Sequence, residues 1–512
     1  MTDTMNPFAG GIVGTHRPRK EDPALLTGES KFIDDLNLSG ALWISCVRSP
    51  YAHARIGAID ASAALAIDGV VAVYTGADLE GDWAGPLPCA WQVTDEMKSP
   101  AHLPVAVGKA NFAGDAVAVV VATSRYAAAD GAEGVVVDYE PLEAVVDLDD
   151  AASDRVVIHE DCGTNVSYEW LNLADSTGAV AAAFENAAHH VTETYVHQRL
   201  IPTAMEPRGV AAVPAPHNGD MTLYSSTQIP HVLKVMGALT LGMPEQKLRV
   251  IAPSVGGGFG CKLNVYAEEL ICMALANRHG GTVRWTETRT EAATSTIQGR
   301  AQKQTIELAA AADGKLTAVR ATLLADMGAY LQLVAPGVPL LGAFLYHGLY
   351  DVPAYAFTCR GVFTNLAPTD AYRGAGRPEA TYAIERAMDA LAVAVGVEPD
   401  EIRSRNFIPT EKFPYDSPAG LVFDSGNYQP TLDRAKELVD WDGRRAEQAE
   451  RRAAGATTHL GLGISSYVEM CGLAPSRTLA ALKYGAGGWE SATVRILPTC
   501  KVQVVTGVTP HG

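Results

Sequence analysis

The sequence predicts a mixed α/β (α+β) chain of two domains. Three observations predict it. The 512 residues exceed the about 100–200 residues that one core usually serves. Short β-branched runs alternate with Ala-rich helical stretches through roughly the first 150 residues, the pattern of an α/β layer. Further along, a strand runs into a cluster of glycines and then into helical periodicity, which marks a second, larger domain.

The elements follow in order. Ala54–Asp60 (ARIGAID) reads as a strand, Ala61–Ile67 as a short helix and Val70–Tyr74 as a second strand. The unit recurs: Ala116–Ala122 is a Val-rich strand, Ser124 is placed to cap a helix over Arg125–Glu133, and Val135–Tyr139 closes it. The acidic stretch Asp147–Asp154 reads as a linker, so the first domain is expected over residues 14–150. The second begins near Asn165 and is expected over residues 165–512. Phe184–His190 reads as a helix end entering a strand, Val191–Gln198, and Thr222–Ser226 is another strand. Leu248–Ala252 is the strand that feeds the glycines, and Val265–Asn277 is the helix beyond them. Thr305–Leu308 and Leu316–Leu324 read as strands joined at Asp313-Gly314. Pro378–Val395 is a long Ala-rich helix. The charged stretch Gly443–Gly455 reads as solvated, and Val494–Ile496 and Val502–Thr506 are late strands.

Composition narrows the function. The net charge of −18 disfavours nucleic acid and anionic membrane surfaces as partners, since both recruit basic patches. The apolar runs are far shorter than the roughly 20 residues of a membrane span. Met1–Gly10 has no basic region followed by an apolar core, so a cytoplasmic location is expected. None of the eight cysteines forms a Cys-x-x-Cys pair. They are expected to be mostly buried free thiols, and any iron–sulfur relay belongs on another chain.

Four segments could carry chemistry. The loop Ser254–Lys262 (SVGGGFGCK) places Gly256, Gly257, Gly258, Phe259 and Gly260 between strand and helix. Glycines let backbone approach a ligand, and the helix start beyond could offer free N–H groups to an anion. A tight turn with no ligand is the competing reading. The spacing is neither a dinucleotide fingerprint nor a Walker loop, because Lys262 is not followed by Ser or Thr. The loop Ala371–Arg377 (AYRGAGR) sets two arginines around small residues at a helix mouth. That arrangement can present a guanidinium to an oxyanion, or it can be a helix cap with solvated arginines. Thr227-Gln228-Ile229-Pro230-His231 follows a strand, and its amide could donate to a metal-bound group or sit in a polar turn. His231 is expected to be a turn or capping residue, and His189 and His190 show no ligand spacing. In Met205-Glu206-Pro207-Arg208-Gly209 the carboxylate and guanidinium suggest a structural ion pair more than a catalytic one.

Order and wording together say more. MEPRG, STQIPH, SVGGGFGCK and AYRGAGRPE occur in that sequence, preceded by GESKFIDDLNLSGALWISCVRSPYAHARI (Gly28–Ile56). The chain resembles the large subunits of the molybdenum hydroxylases, a family that includes xanthine dehydrogenase, aldehyde oxidase and aerobic carbon monoxide dehydrogenase. The resemblance runs from about Gly14 to Gly512. It implies a hammerhead domain followed by the N-terminal part of a molybdopterin-binding domain. It implies a molybdenum–molybdopterin cofactor, in the cytosine dinucleotide form, with the metal held by the pterin dithiolene and by no protein ligand. Gln228 would bond an oxo group, Gly257, Gly258, Phe259, Gly260 and Gly374 would pack against the cofactor, and Arg373 would orient substrate or stabilise negative charge. Aldehydes or N-heterocycles would be oxidised with water as the oxygen source. Electrons would leave to a small [2Fe-2S] subunit and a medium FAD subunit, in a dimer of heterotrimers.

The sequence departs from the family pattern at three places. Well-defined carbon monoxide dehydrogenases carry a copper-binding Cys after the loop Arg. Here Gly374 follows Arg373, as in the form II relatives, which argues against CO oxidation. Leu263 follows Lys262 where xanthine-type enzymes carry a Glu that reads the purine, which implies a less polar or smaller substrate. The sequence ends at TGVTPHG, where a Gln-containing cofactor loop begins in the family, so a C-terminally truncated chain or half of a split gene is expected, inactive alone. Glu469 is not expected to replace the family's catalytic Glu. True CO oxidation, an inactive remnant and an NAD-using oxidoreductase are the alternatives.

Overall fold

The computed structural model describes residues 15–473, 476–485, 488 and 490–512. The readings of Met1–Gly10 and of Gly14 lie outside the described residues. The largest sheet has seven strands, in the order Leu248–Ile251, Asp220–Ser225, Gly209–Ala215, Val283–Thr286, Leu42–Arg48, Ala116–Ala122 and Val70–Thr75. Its two halves come from either side of the expected domain boundary. They join through a parallel pair, Leu42 opposite Val283 and Trp43 opposite Arg284. Ala116–Ala122 is buried at every position, which is why its sequence is continuously apolar and does not alternate. The helix Ala267–His279 packs on this sheet and is buried from Glu268 to Ala276.

A second sheet runs Val166–Leu173, Ala354–Phe363, Leu316–Gly328, Gly299–Ala310, His189–Leu200. Its central hairpin turns at Asp313-Gly314 as expected. Gly314 takes φ +83°, and the Asp313 carboxylate accepts from the Lys315 N–H at 3.1 Å, an Asx-type closure. The helix Arg377–Val395 lies across the strands His189–Leu200 and Gly299–Ala310, burying Ala383, Ile384, Ala387, Met388 and Leu391. A small sheet joins Lys109–Ala110, Ala54–Asp60 and Val136–Pro141.

Local signals hold well. Ser124 accepts from the Ala127 N–H and caps the helix Arg125–Glu133. The helix Trp441–Ala453 buries only Trp441 and Gln448, as a solvated charged segment should. Two readings are corrected. The expected linker 147–154 contains a helix, Leu148–Ala152, because Asp147 accepts from the N–H groups of Asp149 and Asp150 and Ala151 is fully buried. The cysteines are all free, but half of them are buried: Cys46, Cys261, Cys272 and Cys359. No helix among the described residues is long and apolar enough to cross a membrane.

Candidate active site

Strand Leu248–Ile251 delivers the chain into the glycine loop. Gly257 and Gly260 both take φ +99°, and Phe259 between them takes +55°. A Cβ at Gly260 would stand 2.0 Å from the Ala371 carbonyl oxygen. The glycine loop and the Arg loop therefore touch backbone to backbone, an approach only glycine permits. The Arg373 N–H donates to the Phe259 carbonyl at 2.9 Å and completes the join.

Gln228 sits against the same loop. Its own N–H donates to the Lys262 carbonyl at 2.9 Å. Its Oε1 accepts from the Gly260 N–H at 2.9 Å and the Lys262 N–H at 3.3 Å. Two donors on one oxygen assign the amide orientation and leave Nε2 as the outward donor. A Cβ at Gly258 would fall 2.5 Å from the Gln228 side chain, so bare backbone is required there too.

The two arginines of the second loop have different surroundings. Arg377 opens the helix Arg377–Val395 and pairs with Glu469, Nε to Oε1 2.7 Å. Arg373 is exposed, lies 5.8 Å above the Phe259 ring, and its guanidinium makes no hydrogen bond among the described residues. Gly374 takes φ +99°, and a Cβ there would stand 2.3 Å from Pro378 Cγ. Just before the loop, the buried Asp370 carboxylate accepts from the N–H groups of Ala371 (2.5 Å) and Val334 (3.2 Å). Burial pushes its pKa up to about 7 against those two donors.

Between the loops is a cavity of about 660 Å³, lined by Gln228, Leu263 and residues 258–260, 371–375 and 511–512. Of the predicted site residues, Gln228, Gly258, Phe259, Gly260, Arg373 and Gly374 line it. Gly257 stands behind, its N–H donating to the His511 carbonyl at 3.0 Å. Ala371, Tyr372 and Ala375 also line it, and they belong to the Arg loop read from the sequence without having been given a role; sequence reasoning missed His511 and Gly512, which no motif marked. A cavity of about 740 Å³ lies elsewhere, between the helix Gln429–Val439 and residues 461–467. Its one charged side chain, Lys436, is already paired with Asp400.

Three readings need correction. The helix after the glycines does not open at the cavity. It starts at Ala267, its first turn holds Glu268 and Glu269, and the Glu269 carboxylate already accepts from the Tyr266 N–H at 2.9 Å. It therefore offers nothing to an anion. Glu206 and Arg208 are ion-paired, but not to each other. Glu206 holds Lys262 at 2.9 Å and accepts from the Gly256 N–H at 2.8 Å. Arg208 pairs with Glu268 at 2.8 Å and Glu287 at 2.9 Å. His231 is inside the first turn of the helix Pro230–Thr240 and contacts Glu490 at 2.7 Å.

The donor set bears on which group could sit in the cavity. Among the described residues His511 lines it but no Cys, Asp or Glu side chain does, and no cluster of three such ligands is found. Cys261 Sγ is turned away and donates to the Gly258 carbonyl at 3.0 Å, and Cys359 is buried beside Tyr168. The residues present thus fit a metal that arrives with its own ligands, as one held by a pterin dithiolene does.

Comparison with known proteins agrees. Residues 27–143 match the aldehyde oxidase and xanthine dehydrogenase a/b hammerhead domain. Residues 158–407 and 434–512 match molybdopterin cofactor-binding domains. The nicotinate dehydrogenase large molybdopterin subunit of Eubacterium barkeri is 31% identical over 402 residues, which is 77% of this chain and 89% of that one. This chain belongs to the molybdenum hydroxylase family. Within that family it is a large, molybdopterin-binding subunit. The carbon monoxide dehydrogenase large chain of Hydrogenophaga pseudoflava is 36% identical over 503 residues, covering 94% of this chain and 61% of the relative. Quinoline 2-oxidoreductase from Pseudomonas putida 86 superposes with a TM-score of 0.91 at 35% identity, covering 98% of this chain and 63% of that one. This molybdenum hydroxylase chain thus spans less than two thirds of the length of both the carbon monoxide dehydrogenase and the quinoline enzyme.

Proposed function

We propose that this large subunit hydroxylates an aldehyde or an N-heterocycle with water as the oxygen source. On this reading it divides into a hammerhead segment, 14–150, and a molybdopterin-binding segment, 165–512, which share the seven-stranded sheet. The observation that carries the proposal is the pair of unspent donors at the cavity. Gln228 Nε2 is fixed outward by the two bonds to its oxygen, and the Arg373 guanidinium at the same cavity has no hydrogen-bond or ion-pair partner among the described residues. When bound, the molybdenum–pterin cofactor, in its cytosine dinucleotide form, supplies the redox metal and accepts the electron pair. Gln228 holds an N–H toward an oxygen of that group. Gly258, Phe259 and Gly260 present bare backbone to it. Arg373 draws a substrate carbonyl or ring nitrogen into place and stabilises negative charge as it develops. Electrons pass to a small [2Fe-2S] subunit and a medium FAD subunit, in a cytoplasmic dimer of heterotrimers.

Two features favour this substrate class over carbon monoxide. Gly374 carries no thiol for copper, and its positive φ and contact with Pro378 make a side chain there strained. Leu263 supplies an apolar wall. The test is to co-express the chain with the genes that flank it and measure metals and turnover. Molybdenum and pterin at parity without copper, with oxidation of heterocycles or aldehydes, is the expected result. Copper at parity with molybdenum, or NAD bound without molybdenum, overturns the proposal. Arg373→Ala in that complex should retain molybdenum and lose about a hundredfold in turnover; unchanged turnover would reduce Arg373 to a helix-mouth residue.

A further inference from the structure

We infer that Arg300 is a positioning residue that clamps the Arg loop and thereby sets where Arg373 stands; this rests on the hydroxylase reading above. Arg300 lies at the start of the strand Gly299–Ala310, far from the loop in sequence. Its Nη1 donates to the Tyr372 carbonyl at 3.0 Å and its Nη2 to the Arg373 carbonyl at 2.7 Å. The guanidinium lies 4.6 Å from the Tyr372 ring centroid. Behind it, both carboxylate oxygens of Glu379 stand 3.4 Å from Nη1. Glu379 is in the first turn of the helix that the Arg loop opens, and its side chain is fully buried. One guanidinium therefore grips two consecutive loop carbonyls, stacks on the loop's aromatic ring and neutralises the acid beneath. A planar fork can do all of this; an ammonium cannot.

The backbone around Arg300 is unusual in a way that fits the role. Arg300 takes φ +67° and Ala301 +56°, two consecutive non-glycine residues in the left-handed region. A Cβ at Gly299 would stand 2.3 Å from that of Tyr372. The strand end is pressed onto the loop and twisted so that the side chain of Arg300 reaches the carbonyls. Strain of this kind persists only where surrounding contacts over-determine it. The opposite side of the loop is held by the bond from Arg373 N to Phe259 O. Residues 372–373 are thus fixed from both sides, while the guanidinium of Arg373 itself has only the Phe259 ring beside it and no hydrogen-bond partner among the described residues. A flexible loop would lose the alignment of that charge with Gln228, and turnover is sensitive to misplacement of this order.

The experiment uses the complete enzyme complex and the variant Arg300→Lys, which keeps the charge beside Glu379 but cannot bridge two carbonyls. Three results are expected. Thermal stability and molybdenum content stay close to wild type. Amide hydrogen exchange in the peptide covering residues 371–377 accelerates about tenfold or more, as the loss of charge-assisted bonds implies. Turnover falls by a similar factor, and the fall disappears in an Arg373→Ala background, because the two residues act through one position. Wild-type exchange, wild-type turnover, or a loss that simply adds to that of Arg373→Ala overturns the inference. If Arg300→Lys fails to fold, Arg300→Met combined with Glu379→Gln removes both charges together, and the same readouts decide. Should the wild-type complex hold no molybdenum, the hydroxylase reading fails, whereas the exchange measurement still decides whether Arg300 clamps the loop.

Discussion

Two arginine sites in this chain make opposite use of the same side chain. Arg208 is buried and spent. It pairs with Glu268 and Glu287, its Nε donates to Thr296 at 3.1 Å, and it lies 3.8 Å from the Tyr266 ring centroid. Arg48 adds a second guanidinium to the cluster, 2.7 Å from Glu268 and 2.9 Å from Glu291. Arg373 is exposed beside a cavity, with its guanidinium donors unbonded among the described residues. A buried guanidinium must have its donors satisfied or it costs the fold dearly. One kept free at a cavity wall costs little stability and is available to a ligand. In this family member, the buried guanidiniums are spent on architecture, whereas the one at the cavity wall is open to solvent.

The contrast can be broken from either side. Arg208→Met should cost most, about 3–5 kcal/mol, because it takes the cation from the buried Glu287 and leaves Glu268 with Arg48 alone. Chemical denaturation checks it, and a loss no greater than that of Arg373→Ala, expected within about 0.5 kcal/mol, would erase the distinction. Acid comes next. Burial would raise the pKa of Glu268, but Arg208 and Arg48 outweigh it and hold it down at about 2, below the ordinary 4.5. A depressed carboxylate contributes stability above its unfolded pKa and loses it as pH falls through the folded one. Stability should therefore drop by on the order of 3 kcal/mol between about pH 5 and about pH 2. Glu268→Gln should flatten that limb of the curve; an unchanged slope would show that other groups carry it. A smaller effect on stability than either belongs to the contact between the two loops. Gly260→Ala forces a Cβ against the Ala371 carbonyl and should cost about 1–3 kcal/mol. Because it parts the two loops, its effect on turnover should exceed its effect on stability, and parallel losses would mean that the loop contact is only structural.

Some of this was legible before any coordinates. The Ser124 cap, the Asp313-Gly314 turn and the Val-rich strand Ala116–Ala122 depend on residues a few positions apart, so local pattern suffices. The cavity residues Gln228, Phe259 and Arg373 were found through the wording of three motifs, which stand side by side in the fold. The partners of Glu206 and Arg208 were misread because adjacency in the chain is a poor guide to charge pairing. Arg208 reaches Glu268 across 60 positions, and Arg48 reaches the same carboxylate across 220. The expected anion site at the helix after the glycines failed for a related reason: the motif could not say that the helix begins beyond Tyr266 with its first turn already acidic.

What the sequence by itself determined is the set of backbone liberties and local propensities: where glycine must take a positive φ, where a helix is capped, where a strand is wholly apolar, and which motifs the family shares. Tertiary structure alone decided which polar groups are spent. Desolvation and hydrogen-bond geometry act only after distant segments meet. They turn the Gln228 amide outward, bury Arg208 among carboxylates, and press Arg300 onto the loop that carries Arg373.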